Sequence, residues 1–267
     1  MVKNQKPTKK DISTVLKVMS KNRVKPNFFC SLPYLLYNEA HVRFKAGMVW
    51  AEVDGICLFP PILENGGFIG DYPVQEIWSD FAGFALPCEE WEKKFLDWEY
   101  LYNPYDFQTM RGGRWETFRK NSRKWPKNQR NLRYGSTTQD EEERWALVAE
   151  WLEKRQDSVH DAEVVANYVM NPIDGVYQKA LTRDGELVGM NVWDDNHCYI
   201  NFRFCIVADE ERYLDEYMRY LFYTDSLIYM QGKLVNDGGV LGREGLERFK
   251  DKMNPVYKRA VYGWLKK

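Results

Sequence analysis

Residues 175–207 read GVYQKALTRDGELVGMNVWDDNHCYINFRFCIV. Apolar and polar residues alternate here, β-branched and aromatic types are frequent, and the runs are broken by Arg183-Asp184-Gly185 and Asp195-Asn196. An Asp-Gly pair between alternating runs is a hairpin signal, because both turn positions tolerate positive φ. The stretch therefore predicts three antiparallel strands: Gly175–Thr182, Glu186–Asp194 and Cys198–Val207.

Working outward, two helices are expected before these strands. The first starts at the near capping box Thr138-Gln139-Asp140-Glu141 and buries Trp145, Leu147, Val148, Trp151 and Leu152; the second spans about Asp161 to Met170. After the strands, Glu210–Met230 reads as a long helix with the stripe Leu214, Tyr217, Met218, Leu221 and Phe222, interrupted by Asp225. A short strand, Leu234–Asn236, a Gly238-Gly239 loop, a helix from Arg243 to Met253 and a strand from Val256 to Leu265 complete the half.

The first half has less regular grammar. A helix over about 11–20, capped by Asp11 or Ser13, carries Ile12, Val15, Leu16 and Met19. A short aromatic helix is expected over Phe28–Asn38, and then strands at Val42–Lys45, Met48–Val53 and Ile56–Phe59, with Asp54-Gly55 as a hairpin turn. Helices are expected at Val74–Phe84 and Glu89–Phe95, a strand at Trp98–Tyr102, and helices over 106–111 and 114–125. Between Arg111 and Arg133, nine Lys and Arg residues face the single acid Glu116 in a chain whose formal net charge is −1. Such a local excess attracts phosphate-bearing partners. Trp115 and Trp125 inside it are read either as stacking platforms for bases or as core. Lys127–Gly135 reads as an interdomain connection, which places domains at 1–134 and 135–267.

Composition narrows the function classes. With 44% hydrophobic residues there is material for a core. No apolar run approaches the roughly 20 residues of a spanning helix, and the polar start MVKNQKPTKKD does not read as a signal peptide, so a cytoplasmic protein without an integral membrane segment is expected. Five cysteines without CxxC favour reduced thiols. Three histidines without HxxxH or HExxH spacing argue against a metal site.

Three groups of residues carry a family resemblance: Glu99-Tyr100-Leu101-Tyr102 with Asp106, Met110, Gly112-Gly113 and Arg119-Lys120-Asn121; Gly185-Glu186-Leu187-Val188-Gly189; and Val235-Asn236-Asp237-Gly238 with Leu241-Gly242, Gly245-Leu246, Lys250 and Asn254-Pro255. In this order and spacing they resemble the C-terminal domain family of bacterial phosphatidylglycerol lysyltransferases, over most of the chain from about Phe28. The family's acidic-basic run before the long helix is reduced here to Asp209. The resemblance implies an α+β chain of two tandem GNAT-like (acyl-CoA N-acyltransferase-like) domains, each a mixed central sheet flanked by helices, the first degenerate. It also implies acyl transfer to an amine or hydroxyl acceptor, with aminoacyl-tRNA as the donor.

Residue chemistry points the same way on the donor. Backbone amides at a helix start hold phosphate best when glycines let the phosphate approach. The corresponding segment here, Val207-Ala208-Asp209-Glu210-Glu211-Arg212, has no glycine and three carboxylates. It disfavours the coenzyme A pyrophosphate, and no cofactor is expected. Asp237 is the candidate for binding the donor's ammonium or taking a proton, and Lys250 for stabilising an oxyanion. Arg119, Lys120, Arg123 and Lys124 are candidates for phosphates, with Asn121 orienting the loop; Asp209, Asn236 and Arg243 are further candidates. Two alternatives stay open: a GNAT-type enzyme modifying a nucleic-acid base, and a non-catalytic nucleic-acid-binding relative of the fold.

Overall fold

The three strands expected from residues 175–207 form. The computed structural model describes residues 7–45, 47–63, 75–79, 89–136, 140–155, 162–208 and 211–267. Along the chain the elements are α1 (Lys9–Lys21), α2 (Leu32–Tyr37), β1 (His41–Lys45), β2 (Met48–Val53), β3 (Ile56–Cys57), β4 (Ile62–Leu63), β5 (Glu76–Ser79) and β6 (Trp91–Tyr102). Then come α3 (Pro104–Thr109), α4 (Glu116–Ser122), β7 (Leu132–Ser136), α5 (Glu141–Glu153), α6 (Ala162–Met170), β8 (Val176–Arg183), β9 (Glu186–Asp195) and β10 (Tyr199–Val207). The last are α7 (Leu214–Thr224), α8 (Ser226–Tyr229), β11 (Leu234–Asn236), α9 (Glu244–Asp251) and β12 (Tyr257–Lys266). Thr138, Asp161, Asp209 and Glu210, which entered the sequence reading, lie outside the described residues.

The chain divides into two units. The first holds Met1–Tyr100, Gly239–Gly242 and Lys258–Lys267; the second holds Leu101–Gly238 and Arg243–Tyr257. The division thus falls after Tyr100, where the sequence reading put it after residue 134. The reason is aromatic packing: Phe107 of α3 meets Trp115 and Phe118 and stacks on Tyr223 of α7 at 4.0 Å between centroids. Rings of this size contribute strongly to a core and carry α3 and α4 with α7.

In the first unit the strand order is β1-β2-β3-β5-β12-β6, with β4 also on β2. Thr8, not Asp11 or Ser13, caps α1, and Asp11 closes a capping box by accepting the Thr8 amide at 2.7 Å. Helix α1 buries Ile12, Val15, Val18 and Met19. Asp54 and Gly55 both have positive φ (49° and 80°), as the tight β2–β3 hairpin requires. The helix expected over 74–84 is instead strand β5 where it is described. Ile77 and Ser79 are buried and Glu76 and Trp78 only partly so, a period of two. The helix expected over 89–95 is the start of β6.

Asp97 on β6 organises the 239–242 loop of this unit. Its carboxylate accepts the amides of Trp98, Val240 and Leu241, each at 2.7 Å. A Cβ added at Gly239 would lie 2.0 Å from Asp97 Oδ2 and 3.1 Å from the Trp98 carbonyl. Gly239→Ala is therefore expected to destabilise the protein by about 1–3 kcal/mol through overpacking, read as a lower urea midpoint; an unchanged midpoint would mean the loop yields freely.

In the second unit the order is β11-β10-β9-β8-β7, with the end of β6 on the far side of β11. Strands β7 to β10 are antiparallel neighbours, and β10 and β11 run parallel. The segment expected as a linker contains β7, whose Leu132–Ser136 pair with β8. Successive β9 side chains leave opposite faces. Asn191 and Trp193 reach α7, and Asp194 reaches Tyr168 of α6. A bulge between Phe202 and Phe204 changes the sides on β10: Phe202 packs on Phe222 of α7, while Phe204 packs on Tyr168. Arg203 at the bulge binds Asp194 with its Nε at 2.7 Å, and both side chains are buried. The long helix expected over 210–230 is broken at Asp225, which ends α7 and whose carboxylate accepts the Leu227 amide to cap α8.

Candidate functional site

Strand β11 ends at Asn236, and the next residue is Asp237, buried with 6% of its surface exposed. The turn is set locally. The Asn236 side-chain oxygen accepts the Gly238 amide at 2.9 Å, and Gly238 has φ 63°. This Asx turn aims Asp237 at α7 and α9.

Four side chains meet there. Arg219 of α7 donates through Nη1 to Asp237 Oδ2, and the Tyr223 hydroxyl, one turn on, donates to the same oxygen at 3.3 Å. Lys250, the buried residue of α9, lies with Nζ 3.3 Å from Asp237 Oδ1. Its ammonium also donates to the Asp237 carbonyl and, at 3.2 Å, to the Gly238 carbonyl. An ammonium has three hydrogens, and these three acceptors match them. The Tyr102 hydroxyl donates to the Lys250 carbonyl at 2.9 Å. On the outer side, Asp215 lies 3.4 Å from Arg219 Nε.

The charges hold one another in place. Burial works against the Arg219 cation, but Asp237 and Asp215 outweigh it and raise its pKa. Burial, and then the Asp237 charge, push the Tyr223 phenol well above its usual value, which keeps it a neutral donor. Burial, and then Asp215, raise the Cys205 thiol likewise, so it is protonated and not a nucleophile.

The cluster sits where two strands part. Strands β10 and β11 pair from Tyr199 with Leu234 to Asn201 with Asn236, and there β11 stops while β10 continues to Val207. Among the described residues no strand pairs with β10 on that side beyond Asn201, and the Asp237 turn follows directly where the two strands part.

The sequence reading singled out Asp237, Lys250 and Asn236, and the structure brings these together. It missed Arg219, Tyr223 and Asp215. A signal was present: Asp215, Arg219 and Tyr223 repeat at four-residue spacing along α7, one face of a helix. Arg243 lies at the start of α9 without a side-chain cap bond.

The basic segment divides into two sets. Arg119 donates to the Met110 carbonyl at 2.5 Å, Asn121 to Glu216 at 3.2 Å, and Lys124 to the Tyr213 hydroxyl at 3.0 Å, so these three brace the fold. Lys120 and Arg123 are exposed, as are Arg111, Arg114, Lys127, Arg130 and Arg133. Trp115 and Trp125 are core: both are buried, and the Trp125 indole donates to Glu211 at 2.8 Å. Glu211 also binds Arg183 at 2.6 Å. One of the three carboxylates read as repelling phosphate is thus paired with Arg183 and Trp125. Among the described residues no group of His, Cys, Asp and Glu could hold a metal, and no helix is long and apolar enough to cross a membrane.

Two helices, three antiparallel strands, a helix, a parallel strand, a further helix and a final strand are the layout of a GNAT-like domain. No protein-family model and no curated protein matches the sequence. Solved structures do match in fold. The chain is similar to a conserved protein of unknown function from Bacteroides thetaiotaomicron, with TM-score 0.77, 15% identity and 100% of both chains covered. It is similar to the C-terminal domain (DUF2156) of a candidate lysylphosphatidylglycerol synthetase from Agrobacterium fabrum, with TM-score 0.63 and 13% identity over 97% of this chain and 92% of that one. It is also similar to a tandem GNAT protein from the clavulanic acid biosynthesis pathway, with TM-score 0.51 and 9% identity over 96% and 95%. The fold is the α+β, tandem GNAT-like one that the sequence motifs imply, and the relation is remote.

Proposed function

We propose that this protein is a GNAT-type acyltransferase that moves an aminoacyl group from an activated ester to an amine or hydroxyl acceptor. The observation that supports it most is the parting of β10 and β11 over the Asp237 turn. An acyl donor laid where the strands part would meet the β10 edge, unpaired among the described residues, on one side and the charge-braced Asp237 turn on the other. The acceptor nitrogen or oxygen attacks the ester carbonyl, the carrier's hydroxyl oxygen leaves, and the acceptor's proton passes to that oxygen. In this reading Asp237 and Lys250 are positioning residues. The Lys250 ammonium holds the Asp237 and Gly238 carbonyls, and Asp237 anchors the turn to α7.

Aminoacyl-tRNA is the favoured carrier, because Lys120, Arg123 and the other exposed cations from Arg111 to Arg133 offer phosphate contacts. The alternative in which a nucleic-acid base is the acceptor draws on the same cations, but the buried Trp115 and Trp125 offer it no stacking platform.

The test is label transfer. Purified protein is incubated with charged tRNA or with acetyl-coenzyme A, and with free amino acids, polyamines or phosphatidylglycerol vesicles as acceptors. Transfer from charged tRNA that weakens as salt rises is expected. Absence of transfer from either donor to every acceptor would sink the proposal, and transfer from acetyl-coenzyme A alone would overturn its aminoacyl part.

A further inference from the structure

Away from the Asp237 turn, the second unit has a cleft of about 470 Å³ between the 124–129 segment and residues 211–213. Lys124, Lys127 and Arg212 line it together with Tyr213. Lys127 and Arg212 are exposed. The Tyr213 ring lies between two cations, with Lys124 Nζ 4.2 Å and Arg212 Cζ 4.7 Å from its centroid. Its hydroxyl accepts from Lys124 at 3.0 Å and keeps its own hydrogen for a further acceptor. Glu211 also lines the cleft, and its two oxygens are already taken by Trp125 and Arg183. Tyr213 has φ 72°, a backbone conformation that a bulky side chain rarely adopts.

Three cations and a phenol face one opening, and Glu211, the acid among its described lining residues, is already paired with Trp125 and Arg183. We infer that this cleft binds a phosphate ester group of the acyl carrier through the side chains of Lys124, Lys127, Arg212 and Tyr213. The inference rests on the proposed transferase reading, since the carrier is what brings phosphate to the protein. It differs from phosphate binding by amides at a helix start. The first turn of α7 carries Asp215 and Glu216, so attraction here comes from side chains. A phosphate oxygen accepts from two or three of these donors at once, and charge-assisted bonds of this kind are the strong ones.

The probe is inorganic pyrophosphate, titrated calorimetrically at low salt into the wild-type protein and into Lys127→Glu, Arg212→Glu and Arg114→Glu variants. Lys127 and Arg212 are exposed, so their reversal leaves the fold intact, and circular dichroism checks this. Each is expected to weaken pyrophosphate binding about tenfold or more. Arg114, outside the cleft, is expected to change it by less than about twofold because salt screens remote surface charge. No saturable binding, or equal losses in all three variants, overturns the inference. A second arm titrates a 12-nucleotide RNA. RNA binding that falls with Lys127→Glu and Arg212→Glu identifies a nucleic-acid phosphate, while a response to pyrophosphate alone identifies a small phosphate ester. Pyrophosphate binding at the cleft without transfer from any donor leaves the cleft standing and removes the transferase reading. Transfer undiminished by Lys127→Glu and Arg212→Glu does the reverse.

Discussion

Replacing Lys250 with methionine is expected to lower the stability of the protein by about 3–5 kcal/mol, the range for breaking a buried ion pair from one side. Methionine fits the space of the lysine stem but offers no donor. The Asp237 and Gly238 carbonyls would lose the ammonium while remaining buried, and Asp237 would keep only Arg219 and Tyr223. Each unsatisfied buried acceptor costs on the order of 1–3 kcal/mol. Urea unfolding followed by fluorescence measures the loss. Pairing the change with Asp237→Asn should give less than the sum of the single losses, because the two side chains touch. A single-variant loss under about 1 kcal/mol, the worth of an exposed pair, would show that water reaches the cluster.

Asp194→Ala is the second large effect. The Asp194 carboxylate receives Arg203 Nε at 2.7 Å and Nη2 at 3.2 Å, the Asn201 amide at 2.8 Å and the Tyr168 hydroxyl at 2.7 Å. None of its surface is exposed, and the Arg203 side chain is 1% exposed. Alanine removes the carboxylate from a buried guanidinium, and a loss of about 3–5 kcal/mol is expected. Changing both members, Asp194→Leu with Arg203→Met, should recover most of that loss, since the uncompensated charge disappears with its partner. If the double variant is no more stable than Asp194→Ala, the ion pair is needed to keep the β10 bulge in place, and the loss is one of geometry more than of charge.

The second half was legible because its elements follow one period at a time. The β8–β9 turn falls at Asp184-Gly185, both with positive φ, where the sequence puts it. The failures have physical causes. Ile77 and Trp78 are adjacent, and the spacing to Phe81 and Phe84 imitates a helical stripe, but in strand β5 the fully buried Ile77 and the half-buried Trp78 leave opposite faces. Strand β7 reads as a linker because it lies at the end of its sheet and none of its side chains is fully buried, which leaves no apolar alternation in the sequence. Asp237 and Lys250 were found through motif resemblance. Arg219 was not, because an arginine on an amphipathic helix is ordinarily solvated. Its local partner Asp215 is half-exposed and reads as an ordinary surface pair, while the contact that holds Arg219 inside, Asp237, is 18 residues away in sequence.

The strand neighbours in the first unit carry a lesson for how the chain is made and cut. Between β5 and β6 lies β12, whose residues come last in the sequence. During synthesis the sheet of β1 to β6 must wait, gapped, until residues 258–267 have emerged from the ribosome, whereas Leu101–Tyr257 can finish earlier. Expressing residues 1–134 alone would release a half-sheet with two raw edges and a tendency to stick to its own copies. Fusing 258–267 onto the end of β6 through a flexible tether is the more promising route to an isolated first unit.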